Sequence, residues 1–305
     1  DHAAIVGGRN IADDYFGLSE RYNFLDSDLL VRGEIVGAMR ETFDLYWNSQ
    51  FTRQPEQRPA RDFLADRPGD AERRALIEPV ARARLAASPA GVCRETAFVT
   101  DLPGIAVVDR RVYPAIARAM AAAQTEVVGE SPYFVLTGEG AGLVRGTVER
   151  GVKVSVLTNS LHSTDAFYTV AALWLNLGDV AATGLTLHAF DGHAAPSSPT
   201  VPLPETRRGT HAKRAVIDGR DYLIGTYNVD PRSANLNSEM LFICRDGPTI
   251  ADAARANIAI RSTTAALLAG HGKTDHAALV IGAGPGDIAR MLVVMPLAHL
   301  FAFLL

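Results

Sequence analysis

Cysteine and net positive charge are both scarce in this chain, and each shortage removes a class of protein. Two cysteines in 305 residues, Cys93 and Cys244, supply neither a disulfide framework nor the four ligands of a structural zinc site. The simplest expectation from that count is a reducing compartment. Lysine and arginine total 30 against 34 acids, a formal net charge of −4, so no global basic field recruits nucleic acid. Long apolar runs are missing as well. Met291 to Leu305 is broken by Pro296 and His299 and falls short of the roughly twenty residues of a bilayer span. It is expected to pack on the core or to touch a membrane interface. His188 and His193 flank Asp191 without a third ligand at useful spacing, which leaves them as surface histidines and the chain without an expected metal or cofactor.

What is present is a large apolar fraction, 48%, enough for one large or two medium domains. Helical periodicity appears from Glu34 to Trp47, near Tyr113 to Met120, and over residues 165–177 and 251–268. A further helix is expected from Gly69 to Ala87, interrupted near Pro79. Residues 126–157 read as strand, helix, strand, with Val152, Val154 and Val156 alternating against Lys153 and Ser155. Polar, proline-bearing residues 50–70 and 195–206 read as loops.

The most informative stretch runs from His211 to Asn228. Side chains alternate along an extended strand, so His211 and Lys213 point the same way while Ala215 and Ile217 continue that face as packing. Asp218 opens a turn, and Gly225-Thr226-Tyr227-Asn228 turns back to bring a carboxamide towards the imidazole. An imidazole, an ammonium and an amide at one spot suit a phosphodiester: Lys213 and Asn228 hold oxygens, and His211 serves as nucleophile or proton donor. This run resembles the HxK(x)4D(x)6G(S/T)xN signature of the phospholipase D superfamily, with Thr226 where Ser is commoner.

The start of the chain repeats the end of that pattern, with Gly7-Gly8-Arg9-Asn10 aligned on Gly225-Thr226-Tyr227-Asn228. The matching aspartate then falls one position before Asp1, and the first His and Lys are expected further upstream. Asp28 and Glu239, each just ahead of an apolar strand, read as matching carboxylates able to orient a histidine. Gly7 to Ile11, Asp13 to Phe16, Asp26-Ser27-Asp28 and Phe43 to Asn48 resemble bacterial cardiolipin synthases. So do Ser131 to Phe134, Arg150 to Val154 and Leu157 to Ser160. Tyr133 and Asn159 are candidate substrate contacts, Asn159 because it ends a parallel strand.

The resemblance implies an α/β fold of two pseudo-repeated lobes, each a mixed β-sheet flanked by helices, dividing into residues 1–105 and 106–305. It implies a phosphatidyltransferase working through a phosphohistidine without cofactor or metal. His211 would be the acid/base partner, Lys213, Asn228 and Asn10 would hold phosphate, and Asp218 would brace the hairpin. Gly7, Gly8, Gly225 and Thr226 would shape the turns. Expected partners are phosphatidylglycerol or phosphatidylethanolamine and a membrane surface, with the protein on the cytoplasmic face of the bacterial inner membrane. The alternatives are phospholipid hydrolysis, a nuclease drawing on Arg207, Arg208, Arg214 and Arg220, and a lipid-binding scaffold without turnover.

Overall fold

The structure is a computed structural model that describes residues 3–53, 69–104, 109–136, 138–193, 206–270 and 272–300. Most of the two expected loops, the expected lobe boundary at 105 and the last five residues of the apolar C-terminal run lie outside these.

Short strands come first: β1 (Ala4–Gly7), β2 (Tyr22–Leu25) and β3 (Asp28–Val31), with a 3-10 turn at Asp13–Tyr15. Next come α1 (Ile35–Trp47), α2 (Asp70–Ala87), β4 (Glu95–Thr100) and α3 (Val112–Ala122). An alternating unit follows: β5 (Glu126–Glu130), α4 (Gly138–Glu149), β6 (Lys153–Asn159), α5 (Phe167–Ala182) and β7 (Thr186–Phe190). The motif region contributes β8 (Arg207–Thr210), β9 (Arg214–Ile217), β10 (Asp221–Gly225), α6 (Pro231–Asn235) and β11 (Met240–Arg245). Last are α7 (Pro248–Ser262), β12 (Ala266–Gly270), β13 (Lys273–Thr274), α8 (His276–Leu279) and α9 (Pro285–Leu300).

Nine of these strands form one mixed sheet, ordered β13-β12-β7-β6-β5-β9-β10-β11-β4. Strands β5, β6 and β7 run parallel because helical crossovers join them, and Val127, Val154, Val156 and Leu187 are buried as such strands require. Hairpin β9–β10 adds antiparallel strands at the middle. Its turn takes left-handed backbone at Asp218 (φ 52) and Gly219 (φ 65), which aspartate tolerates better than most residues.

Alternation along β9 splits the core in two. Ile217 faces the larger cluster with Val112, Leu173, Leu177 and Met291 from α3, α5 and α9. Val216 faces a second cluster with Ile250 and Ala254 of α7 and with Val6 and Val31 of the small β1–β3 sheet. A further two-stranded sheet, β2 beside β8, ties the N-terminal residues to the motif, since Leu25 is in register with Thr210. Strand β4 pairs along its length with β11, so residues ahead of 105 complete the sheet of those after it.

Two local expectations change, the helix over 251–268 and the interruption at Pro79. The helix expected over 251–268 stops at Ser262, and Leu268 is a fully buried residue of β12. Pro79 sits inside α2 without ending it. The C-terminal run forms α9, with Met291 and Ala298 buried while Leu292, Val293 and Leu297 face outward; no described helix is long and apolar enough to cross a membrane.

Cysteine usage also needs correcting. Cys93, just ahead of β4, is disulfide-bonded to Cys244 on β11, with Cα atoms 5.2 Å apart. The pairing exists because β4 lies beside β11, a proximity that a count of two cysteines does not reveal. Disulfides persist under oxidising conditions, so the argument from cysteine count to a reducing compartment loses its basis. Unfolded, unreduced protein should show no free thiol to Ellman's reagent. Reduction should lower unfolding free energy by about 2–4 kcal/mol in urea titrations, since the bond spans 151 residues.

Candidate active site

The motif histidine and lysine lie in the three-residue link between β8 and β9, outside any strand, and both are buried. The His211 backbone N–H donates to the Leu25 carbonyl at 3.0 Å, extending the β2–β8 pairing to the motif histidine. Nδ1 of His211 lies 2.9 Å from Asp26 Oδ2, whose carboxylate has no solvent exposure. An Nδ1–H donated to Asp26 leaves the Nε2 lone pair free; Lys213 Nζ sits 2.8 Å from Nε2 and 3.0 Å from Nδ1. Lys213 Nζ also donates to the His211 carbonyl at 2.7 Å.

Burial dominates the electrostatics. It pushes the His211 ring below its ordinary pKa, against the opposing bond from Asp26. It brings Lys213 down to about 7, with Asp26, Glu239 and other acids resisting. Burial opposes ionisation of Asp26 too, but the bond from His211 and the nearby cations hold that carboxyl below its usual value. The cluster therefore holds basic groups that give up protons easily until an anion arrives.

The two glycine turns meet here. A Cβ on Gly8 would stand 2.6 Å from Lys213 Cδ and 3.0 Å from the Gly225 carbonyl oxygen. A Cβ on Gly225 would press on Met240 and Leu241 of β11, and one on Gly7 would strike Ser27 and Asp28. Each glycine is needed for close approach. Asn10 donates to the Tyr15 hydroxyl at 2.9 Å, and the Tyr15 ring stands edge-on to His211 at 4.9 Å. Asn10 thus reaches the histidine through one intervening ring. Buried Asn228 Oδ1 has no hydrogen-bond partner, and rotating the amide would put an N–H donor at that point. Thr226 donates to Glu239, which also accepts from Asn237 at 3.1 Å; burial raises the Glu239 pKa. Tyr133 donates its hydroxyl to Asp165 at 3.0 Å.

Two sequence assignments change in this setting, those of Asp28 and Asn159. Asp28 does not orient the histidine; it pairs with Arg9 at 2.6 Å. Strand register explains why: Gly7 opposes Asp28 as Gly225 opposes Leu241, so the counterpart of Glu239, two residues earlier, is Asp26. Matching each acid to the following apolar run picked the wrong member of Asp26-Ser27-Asp28. Asn159 is not free to bind substrate. Its amide donates to the Pro132 and Thr210 carbonyls and accepts from Thr210 N–H and the Ser163 hydroxyl, which fills its capacity. Asp218 is structural: it accepts from the backbone N–H groups of Gln124, Thr125 and Glu126 and lies at the opposite end of β9 from His211. Tyr15 has no spacing signal in the sequence, because its packing on the His211 ring joins residues far apart in the chain. Among the described residues no cluster of three or more His, Cys, Asp or Glu has a metal-holding arrangement.

Asp218→Ala should cost about 1.5–3 kcal/mol in urea unfolding, the loss of charge-assisted bonds, without changing phosphate affinity by calorimetry. Lys213 gives the opposite result. Its folded pKa of about 7 lies below the ordinary value of 10.5, so the unfolded chain holds an extra proton between those values and stability rises with pH across that window. Lys213→Met should flatten that slope, raise stability near pH 7 and abolish phosphate binding. In the wild type, phosphate affinity should fall as pH rises through about 7.

Residues 116–259 match the family model described as "Cardiolipin synthase, PLD-like domain". Cardiolipin synthase C of Escherichia coli is 28% identical over 261 residues, covering 78% of this chain and 55% of that protein. An uncharacterised Helicobacter pylori protein is 26% identical over 280 residues, covering 84% of this chain and 54% of that protein. This chain therefore spans about half the length of these curated relatives. The crystal structure of phosphatidylserine synthase from Haemophilus influenzae superposes with a TM-score of 0.67 at 15% identity, over all of this chain and 69% of that one. With its HxK motif, its mixed sheet between helices and these relatives, the chain carries a phospholipase D-like domain over residues 116–259.

Proposed function

We propose that the His211 cluster works on the phosphodiester of a phospholipid, and that the reaction is phosphatidyl transfer to a lipid alcohol with cardiolipin as product. The observation carrying this reading is the His211 ring itself: Asp26 holds Nδ1 at 2.9 Å, while Nε2 and the Lys213 ammonium, 2.8 Å apart, share one buried spot. An anionic phosphoryl group entering there gains two cationic partners and relieves their burial. The cardiolipin synthase relative supplies the lipid class.

In the two-histidine scheme, one imidazole attacks phosphorus, forming a P–N bond and breaking the P–O bond to the leaving alcohol. The other protonates the departing oxygen, then takes the proton of the acceptor alcohol as that alcohol displaces the ring. His211 fits the second role. Asp26 stabilises the imidazolium, and substrate charge raises a pKa that burial has lowered. Lys213 and Asn228 hold the non-bridging oxygens. The attacking imidazole would come from a first-copy HxK segment or from another copy of this chain. Phosphatidylglycerol or phosphatidylethanolamine would serve as donor.

The protein, expressed in a host lacking cardiolipin, should restore cardiolipin in lipid extracts, and a His211→Ala variant should not. Phosphatidic acid in place of cardiolipin would identify hydrolysis instead, and unchanged lipids with either protein would favour a binding role.

A further inference from the structure

Beneath His211 lies a buried ionic network that the reaction scheme leaves unused. Glu130, at the carboxyl end of β5, has no side-chain exposure and faces two arginines. Arg214 Nε donates to its Oε2 at 2.7 Å, and Arg261 Nη1 donates to its Oε1 at 2.6 Å. The Thr210 hydroxyl, one residue before His211, also donates to Oε1. Arg214 is occupied on its other side by Asn257 at 2.7 Å. Arg261, in the last turn of α7, does something different.

The two ends of its guanidinium reach past Glu130 to the backbone on either side of the catalytic carboxylate. Nη1 donates to the Leu25 carbonyl at 3.2 Å and Nη2 to the Asp26 carbonyl at 3.0 Å. Nη2 is also 3.4 Å from the Ser27 hydroxyl. Strand β2 ends at Leu25, so the Asp26 carbonyl has left the β2–β8 ladder and needs another donor. The Leu25 carbonyl accepts from His211 N–H and from Arg261 together. A planar fork can hold two successive carbonyls while staying paired to a carboxylate; an ammonium on a flexible stem cannot.

We propose that Arg261, seated on Glu130, is a positioning residue for His211. It locks the Leu25–Asp26 backbone so that the Asp26 carboxylate meets Nδ1 and fixes the tautomer whose Nε2 faces Lys213. The charge on Glu130 keeps the guanidinium in place: its own burial is offset by Arg214 and Arg261, which hold its pKa below the usual value. The assignment rests on His211 being the reacting imidazole. Its test reads the ring without substrate, so the outcome is separate from whether phosphatidyl transfer occurs.

The experiment is 15N correlation spectroscopy of histidine-labelled protein, with His211→Ala assigning the signals and Asp26→Asn marking the released ring. The wild type should show a single Nδ1–H tautomer. Arg261→Lys keeps the charge opposite Glu130, so it should fold, yet lose that signature and approach the Asp26→Asn spectrum. Arg261→Met leaves Glu130 paired one-to-one with Arg214, gives a second folded test should the lysine variant not fold, and should lose the signature likewise. A wild-type tautomer and titration in either folded variant overturns the assignment. In a turnover assay, Arg261→Lys should lower kcat tenfold or more and shift the pH profile while leaving KM within twofold; an unchanged kcat and pH profile also overturns it.

Discussion

Two basic side chains removed from water at the same point set the terms for the rest of this molecule. His211 and Lys213 are 5% and 6% exposed, and only one carboxylate, Asp26, bonds to either of them among the described residues. Burial of an ammonium without a full counter-charge is costly, and here it lowers the Lys213 pKa rather than being balanced. Such an arrangement is poor for stability and good for an arriving anion. Around it the backbone is packed closely: Gly8 lies against the lysine stem, and Gly225 lies against β11.

The cluster belongs to both copies of the repeat. Strand β3 opposes β1 as β11 opposes β10, and the two glycine turns touch where Gly8 meets the Gly225 carbonyl. Asp26 from the first copy orients His211 of the second, so the geometry of the cluster depends on the contact between copies. The parallel pairing of β2 with β8 maintains that contact, bringing residues 22–25 beside 207–210.

Spare hydrogen-bonding capacity separates site residues from braces. Asn228 keeps a buried polar atom unpaired, whereas Asn159 and Asp218 have theirs filled by backbone groups. All three are polar residues next to turns, and composition cannot tell them apart. Asn159 acts as a piece of backbone for Thr210, which holds the start of the HxK link level with the end of β6. The unpaired group is where a ligand finds a partner, because a saturated amide would have to break one bond to make another.

The sequence by itself determined the local elements and the chemistry of the motif. Valine alternation marked β6, helical spacing marked α1 and α3, and the His211 to Asn228 run carried its family. These signals are short-range, set by side-chain period and turn residues within a few positions. Tertiary structure decided which carboxylate meets which ring, and which cysteines meet. Asp26 and His211 are 185 positions apart, and Cys93 and Cys244 are 151 apart. Those pairings follow from strand register, where a shift of one residue turns every side chain to the other face. Periodicity reveals a strand but not its neighbour, so it could offer Asp28 or Asp26 and could not choose between them. The choice was made by β3 pairing with β1 from Gly7, which leaves Asp26 beyond the ladder and free to turn its carboxylate towards the imidazole.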